Sequence, residues 1–218
     1  MAADNAEDLI LDILIHDINN ANTIALGYAS ILESKLTGED LMFLESLASG
    51  VQQSAGLIKN AQTIRKVQKS SPDLVKISLA NAMKSAGTGM SGIAIEVSGD
   101  VGMVLADEYL DELFRVILEN VKKHAGKDAK IAIRVAEKGD YYEVSVEDTG
   151  PGISDILKEG IFNRLDRNAQ KKSRKGLGLV LARLIVDRYG GTIRAEDRVP
   201  GKQGEGAAIR FTLKKAPN

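Results

Sequence analysis

Three polar residues near the start of the chain, His16, Asp17 and Asn20, have types suited to phosphoryl chemistry. Residues four apart in a helix share a face, so His16 and Asn20 should lie side by side. A carboxylate that is hydrogen-bonded to one imidazole nitrogen makes the other nitrogen a better nucleophile. A nearby amide can hold a water or a phosphoryl oxygen. Taken alone, the three residues favour the alternative, a solvated His-Asp pair on a helix surface.

A second group of residues, Asp148, Gly150 and Gly152, stands at the end of a segment of alternating apolar and polar residues that predicts a strand. Glycines two apart after an acidic residue let the backbone approach a ligand closely, because they carry no Cβ. This arrangement indicates a small-molecule pocket. An ordinary Asp-x-Gly turn is an equally open interpretation of these residues alone.

A second glycine pair opens an apolar helix expected over about residues 179–189, in the motif Gly176-Leu177-Gly178-Leu179. The first N–H groups of a helix and its positive dipole end can bind an anion such as a phosphate. Close packing of the backbone explains the glycines equally well.

The helix predicted over about residues 108–124 carries three further candidates. The amide oxygen of Asn120 can bind magnesium, and Lys123, almost one turn later, can meet a phosphate. His124 at the helix end is better explained as a group that complements the helix dipole or as a pocket wall. By itself, an Asn and a Lys on one helix carry no functional signal.

Apolar residues predict a long amphipathic helix over about residues 7–35. They follow a heptad, namely Leu11, Leu14, Ile18, Ala21, Ala25, Tyr28 and Leu32. His16 falls on the outer face, which solvent should reach. A second such helix, over about residues 39–68, makes a hairpin. A hairpin cannot bury both of its faces alone, so we expect a second copy to complete a four-helix bundle.

The pattern changes at residues 69–73, the best domain boundary, and then becomes mixed. Asp107 is expected to cap the helix that ends near His124. Short helices and strands predict an α+β domain with a largely hairpin-built sheet. The expected strands cover about residues 74–77, 93–97, 103–106, 130–136, 141–147, 192–196 and 207–213.

Composition excludes several classes of protein. The net charge of −1, the pI near 6.2 and an aromatic content of 4% give no footprint for nucleic acid. There is no cysteine, and two histidines are too few for a zinc cluster. No apolar run reaches the roughly 18–20 residues that span a bilayer, so no membrane contact is expected within these residues. We expect a cytoplasmic protein or the cytosolic part of a longer one.

Five motifs in this order resemble the transmitter core of the sensor histidine kinases of two-component signalling. The segment from His16-Asp17 to Asn20 resembles the phosphoacceptor motif, and residues 120–124 resemble the asparagine motif. Asp148-Thr149-Gly150-Pro151-Gly152 resembles the first glycine motif. Residues 161–165 and 176–179 resemble the phenylalanine motif and the second glycine motif.

The resemblance implies two domains. Residues 1–68 would form the dimerisation and histidine-phosphotransfer hairpin, and residues 73–218 would form the catalytic ATP-binding domain. That domain would be an α/β sandwich of the Bergerat (GHKL) ATPase type, with a mobile lid over about residues 153–175. The implied partners are a second copy of the chain and the receiver domain of a response regulator.

The resemblance also implies roles for single residues, with ATP and Mg²⁺ as ligands. Asp148 would read the adenine amine, Asn120 would hold Mg²⁺ and Lys123 would contact phosphate. The remaining pocket residues would be His124, Gly150, Gly152, Ile153, Gly176, Leu177, Gly178 and Leu179. His16 would accept the γ-phosphoryl group and pass it to a response-regulator aspartate, with Asp17 as its base or orienting acid. Asn20 would position water when the kinase dephosphorylates its regulator.

The sequence departs from the family pattern at several points. Leu165 stands where a second aromatic is usual, Arg174 replaces a frequent glycine, and no proline follows the phosphoacceptor motif. Hydrolytic relatives place a glutamate four residues before the magnesium asparagine, where this chain has Val116, which argues against a hydrolytic ATPase. The alternative to a kinase is a non-catalytic pseudokinase or phosphotransfer scaffold that binds nucleotide.

Overall fold

The computed structural model describes residues 2–88, 95–99, 101–126, 129–158, 160–163 and 176–217. The chain divides into two compact units, Met1–Thr63 and Ile64–Asn218. The helices are α1 (Ala2–Glu33), α2 (Gly38–Lys69), α3 (Leu79–Thr88), α4 (Leu110–His124), α5 (Asp155–Lys158) and α6 (Gly178–Arg188). The strands are β1 (Val75–Ser78), β2 (Ile95–Ser98), β3 (Met103–Ala106), β4 (Ile131–Lys138), β5 (Tyr141–Asp148), β6 (Ile193–Asp197) and β7 (Ala207–Lys214).

The first unit consists of α1 and most of α2, as the heptad pattern predicts. Among its described side chains only Ile15 and Ala29 are buried, and Asn22 donates to the hydroxyl of Ser54 across the two helices at 3.4 Å. Six of the predicted heptad core residues are exposed instead, namely Leu11, Leu14, Ile18, Ala21, Tyr28 and Leu32. A single α2 covers only one side of α1, so this apolar stripe has no cover among the described residues of the first unit. No described helix contains a stretch long and apolar enough to cross a bilayer.

The second unit is built on a five-stranded mixed sheet with strand order β2-β4-β5-β7-β6. The pairs β4–β5, β5–β7 and β6–β7 are antiparallel, so the expected hairpins over β4–β5 and β6–β7 are present. The pair β2–β4 is parallel, which the hairpin interpretation missed. Between these two strands the chain passes through β3 and α4, and such a long connection permits a parallel return.

The last turn of α2 belongs to the core of the second unit. Ile64 and Val67 are 7% and 6% exposed and join the hydrophobic cluster of this unit. Next to this turn, β1 and β3 form a small antiparallel sheet. That sheet continues to β7 through a bridge between Val104 and Lys215.

The helices α4 and α6 cover one face of the large sheet. The predicted apolar face of α4 is fully buried, namely Leu110, Leu113, Phe114, Ile117, Leu118 and Val121. Phe114 meets Phe211 of β7 edge to face, with ring centroids 5.6 Å apart. Tyr142, Val144 and Val146 of β5 are buried on this side as predicted, and Ser145, expected on the opposite face, is buried as well. The unit is therefore the α/β sandwich expected for it.

The start of α4 differs from the prediction. The helix begins at Leu110, and no side chain caps it. The Asp107 carboxylate does accept the backbone N–H of Tyr109 at 3.1 Å, but it also accepts the Arg188 guanidinium and the Tyr189 hydroxyl. Asp107 therefore joins two distant parts of the chain, which a reading of local cap signals cannot reveal.

Candidate functional site

The side chain of Asp148 marks the centre of the candidate site. It stands at the end of β5, where it is only 7% exposed. Its Oδ1 accepts the backbone N–H of Gly150 at 2.8 Å and that of Ala207 at 3.4 Å. Within the described part of the chain no hydrogen bond reaches Oδ2, so that oxygen remains an acceptor for a ligand.

The electrostatics of Asp148 combine opposing effects. Burial raises the pKa of this carboxyl group, because the charged form loses solvation. The hydrogen bonds from Gly150 and Ala207 and the charges of Arg198 and His124 pull the pKa back down. The site thus holds an acidic group whose charge depends on its neighbours, a common property of binding sites.

Two glycines let backbone segments close on Asp148. A Cβ on Gly150 would lie 2.5 Å from the Cα of Ala125 at the end of α4, which is too close for any side chain. Gly206 has φ of +103°, and a Cβ there would overlap the carbonyl oxygen of Asp148. Both positions require glycine because the turn after β5, the end of α4 and the start of β7 approach one another closely around one carboxylate.

A cleft opens beside Asp148 between α4, the turn after β5 and β7. It brings together five predicted residues, Asn120, His124, Asp148, Gly152 and Ile153. Gly150 is buried next to this cleft, whereas Lys123 is exposed and is not among its lining residues in the described structure. The cleft is also lined by residues that the sequence did not single out, namely Val121, Pro151, Ala207 and Ile209.

The second glycine motif lies at the start of α6. Gly178 is the first residue of this helix, and Leu177 precedes it without a side-chain cap. Leu179 is buried in the core of the unit. None of these residues, nor Gly176, lines the cleft within the described structure. Residues 164–175, which include Leu165, Arg174 and most of the expected lid, lie outside the described residues.

The His16 group lies on α1 in the first unit and faces solvent, as predicted. The side chains of His16 and Asp17 are 73% and 69% exposed. Asp17 Oδ1 is 3.1 Å from His16 Nδ1, and Asn20 Nδ2 is 3.3 Å from the same nitrogen. The carboxylate contact at Nδ1 orients the ring, and Asn20 Nδ2 also lies 3.5 Å from Nε2.

The residues that the sequence analysis missed lie mainly in and after the loop between β6 and β7. Ala207 contributes a backbone N–H, and Gly206 contributes a missing Cβ, so neither has a reactive side chain. One signal was available in the sequence, since Gly204 and Gly206 stand two apart directly before a strand. That spacing repeats the one seen at Gly150 and Gly152.

A magnesium ion would have few protein ligands here. The described residues contain no group of three His, Cys, Asp or Glu side chains able to hold a metal ion. The Asn120 amide in the cleft is a suitable single ligand, and Mg²⁺ commonly combines one or two protein oxygens with phosphate oxygens and water. The donor set therefore fits an ion that arrives with a phosphorylated ligand.

A family model described as histidine kinase-, DNA gyrase B-, and HSP90-like ATPase matches residues 106–217. This match covers more than half of the 218 residues. The chain therefore belongs to this ATPase family, and the matched region contains Asn120, Asp148 and both glycine motifs.

Curated relatives narrow the class to sensor histidine kinases, which confirms the resemblance seen in the sequence. Sensor protein KdpD of Escherichia coli (strain K12) is 30% identical over 218 residues, covering 94% of this chain and 24% of KdpD. Sensor histidine kinase AruS of Pseudomonas aeruginosa is 25% identical, covering 99% of this chain and 23% of AruS. The chain thus spans about a quarter of the length of these two relatives.

Solved structures show the same fold. Full-length ShkA in complex with AMPPNP superimposes with a TM-score of 0.65 and 22% identity, covering 95% of this chain and 46% of ShkA. The mycobacterial sensor histidine kinase MprB gives a TM-score of 0.58 and 23% identity, covering 66% of this chain and 99% of that structure.

Proposed function

We propose that this chain is an ATP-dependent protein histidine kinase that phosphorylates itself on His16 and passes the phosphoryl group to an aspartate of a response regulator. The observation that carries the proposal is the buried Asp148 carboxylate, held at Oδ1 by two backbone N–H groups beside a cleft that contains Asn120. The membership in the ATPase family and the sensor histidine kinase relatives support it.

In the proposed nucleotide site, Asp148 Oδ2 accepts a hydrogen bond from the adenine amine. Asn120 binds Mg²⁺, which neutralises charge on the phosphates when bound. Lys123 contacts a phosphate, and the first glycine pair shapes the turn beside the pocket. His124 and Ile153, which line the cleft, supply its walls, whereas the second glycine motif opens α6 outside the lining of the described cleft.

In the proposed phosphoryl transfer the protein forms a single covalent bond, and its main contribution is to position the reacting groups. His16 Nε2 attacks the γ-phosphorus of ATP, an N–P bond forms, and the bond to the oxygen of ADP breaks. Asp17 orients the ring at Nδ1 and stabilises the positive charge that develops on the imidazole. The response-regulator aspartate then takes the phosphoryl group, and His16 is restored.

Transfer rather than hydrolysis is favoured by the residue four positions before Asn120. Val116 is 2% exposed and packs in the hydrophobic cluster of the second unit. An aliphatic side chain cannot remove a proton from water. The position that activates water in hydrolytic relatives therefore has no base in this chain.

We further propose that residues 1–68 act as a dimerisation and phosphotransfer domain and residues 73–218 as the catalytic domain. The exposed apolar stripe of α1 supports pairing with a second copy. Asn20, one turn after His16, would position a water for dephosphorylation of the regulator. This activity belongs to the cytoplasm, where ATP and response regulators are available.

The test is incubation of the chain with γ-labelled ATP and Mg²⁺, followed by scoring of acid-labile, alkali-stable label. We expect label on the wild type and on Asp187→Asn, a matched control whose carboxylate is exposed on α6. His16→Gln and Asp148→Asn should carry none. Nucleotide binding without phosphohistidine would instead support the alternative, a nucleotide-binding scaffold.

A further inference from the structure

Arg198, at the start of the loop between β6 and β7, makes hydrogen bonds to the end of that loop through both its backbone and its side chain. Its backbone N–H donates to the carbonyl of Gly206 at 3.1 Å. Its side-chain Nε donates to the carbonyl of Glu205 at 2.7 Å. One residue thus fixes the backbone that immediately precedes β7.

This backbone is the part of the loop that reaches Asp148. Ala207, the next residue after Gly206, donates its N–H to Asp148 Oδ1. A Cβ on Gly206 would overlap the Asp148 carbonyl oxygen and would lie 2.9 Å from Arg198 Nε. The guanidinium, the loop and the end of β5 therefore pack together, and a shift of the loop would move a donor away from the carboxylate.

The charge of Arg198 and its hydrogen bond to Glu205 both help Asp148 to act as a hydrogen-bond acceptor. Among the described residues, Arg198 from the β6–β7 loop and His124 from the end of α4 both act on the Asp148 carboxylate through their charges. The charge of Arg198 lowers the pKa of the Asp148 carboxyl and so favours its ionised form. An ionised carboxylate accepts hydrogen bonds and donates none.

We propose that Arg198 is a positioning residue that sets base specificity, because it holds the Glu205–Ala207 backbone so that Asp148 presents an acceptor oxygen to an exocyclic amine. This inference rests on the proposed function, in which the cleft binds ATP. Adenine offers an amine donor at the position where hypoxanthine carries a carbonyl acceptor. An acceptor-only site selects the amine and repels the carbonyl, since the latter leaves a buried polar group unpaired.

The experiment measures dissociation constants of the full chain for ATP and for inosine triphosphate, with Arg198→Met and Arg198→Lys. The matched control is Arg194→Met, which removes an exposed arginine of β6 that pairs with Glu143 and Glu196. For Arg198→Met we expect ATP affinity to fall about tenfold, the order for weakening a charge-assisted hydrogen bond. Affinity for inosine triphosphate should stay unchanged, so the preference for ATP shrinks.

The lysine variant separates position from charge. Lysine keeps the charge and can still donate to the Glu205 carbonyl, so Arg198→Lys should recover part of the ATP preference. An equal loss for both nucleotides, or no loss in Arg198→Met, would overturn the specificity role. If the wild type binds neither nucleotide, the proposed function itself fails, which is a separate result from a failure confined to Arg198→Met.

Discussion

Arg188 and Asp107 form a buried ion pair in which Nε donates to Oδ2 at 2.5 Å, with side chains only 8% and 9% exposed. The Tyr189 hydroxyl donates to the other oxygen of Asp107 at 2.6 Å. The remaining guanidinium nitrogens donate to carbonyls at and after the end of α2, those of Val67, Ser70 and Ser71. Within the second unit this cluster holds residues 67–71 in place, and it satisfies carbonyls that a helix end leaves open.

Removal of this arginine should destabilise the second unit strongly. In Arg188→Met the Asp107 carboxylate stays buried without its cation, and loss of one partner of a buried pair costs about 3–5 kcal/mol. Thermal unfolding should show a clear fall in Tm. Arg194→Met, which breaks the two pairs of a partly exposed arginine, should cost only about 0.2–1 kcal/mol for each pair. Equal Tm values for the two variants would contradict the role given to the cluster.

Gly150 should tolerate no side chain. In Gly150→Ala the new Cβ would meet the backbone of Ala125, so the turn after β5 has to move away from α4. We expect a loss of about 1–3 kcal/mol in the free energy of unfolding, typical of overpacking, together with weaker ATP binding. Chemical denaturation and nucleotide titration measure the two effects.

The control for this variant is Gly56→Ala in α2, where a Cβ meets nothing within 4 Å. Alanine there should stabilise the helix by about 0.5–1 kcal/mol, since glycine loses more backbone freedom on folding. A Gly150→Ala chain with unchanged stability and affinity would show that the turn adapts easily.

The elements that place the site could be predicted from local patterns. The 3.6-residue period of α4 and the alternation of β5 place Asn120 on a helix and Asp148 at a strand end. The contacts around Asp148 could not be predicted, because Ala207 acts through its backbone from 59 residues away. Backbone donors have no signature in residue type, and only the fold brings them to the carboxylate.

The role of Asp107 could not be predicted from its local sequence either. An aspartate a few residues before an apolar helical pattern is a typical cap signal. Its main partners, Arg188 and Tyr189, lie 81 and 82 residues further along the chain. The parallel pair β2–β4 was missed for the same reason, since strands that pair across a long connection leave no mark in either segment.

Nucleotide binding should weaken as pH falls. The loss should begin at a higher pH than it would if Asp148 had the pKa of an ordinary aspartate. Burial raises the Asp148 pKa, so this group takes up a proton while exposed aspartates are still ionised, and the protonated group is a poorer acceptor. The effect on stability has the opposite sign. A raised pKa favours the folded state below the ordinary aspartate range, and that contribution is lost as pH rises through the raised pKa.

Titrations of ATP affinity against pH test this with wild type and Arg198→Met side by side. The protonation of ATP itself is common to both proteins and cancels in the comparison. Without the Arg198 charge the Asp148 pKa should rise further, so the variant should lose ATP at a higher pH. Coincident profiles would mean that the arginine charge does not reach the carboxylate.

The exposed apolar stripe of α1 predicts that the protein associates into a dimer. Tyr28 and Leu32 are 66% and 41% exposed, and nothing in the described first unit covers them. If two copies pair through this stripe, a double Tyr28→Arg, Leu32→Arg variant buries two cations in the dimer interface, which excludes the partner. Sedimentation should then give a dimer for the wild type and a monomer for the variant. The control Gln53→Arg adds a cation at an exposed polar position of α2 and should stay dimeric. A wild type that sediments as a monomer at all concentrations would remove the four-helix bundle from the proposal, while the second unit would still bind ATP as an isolated chain.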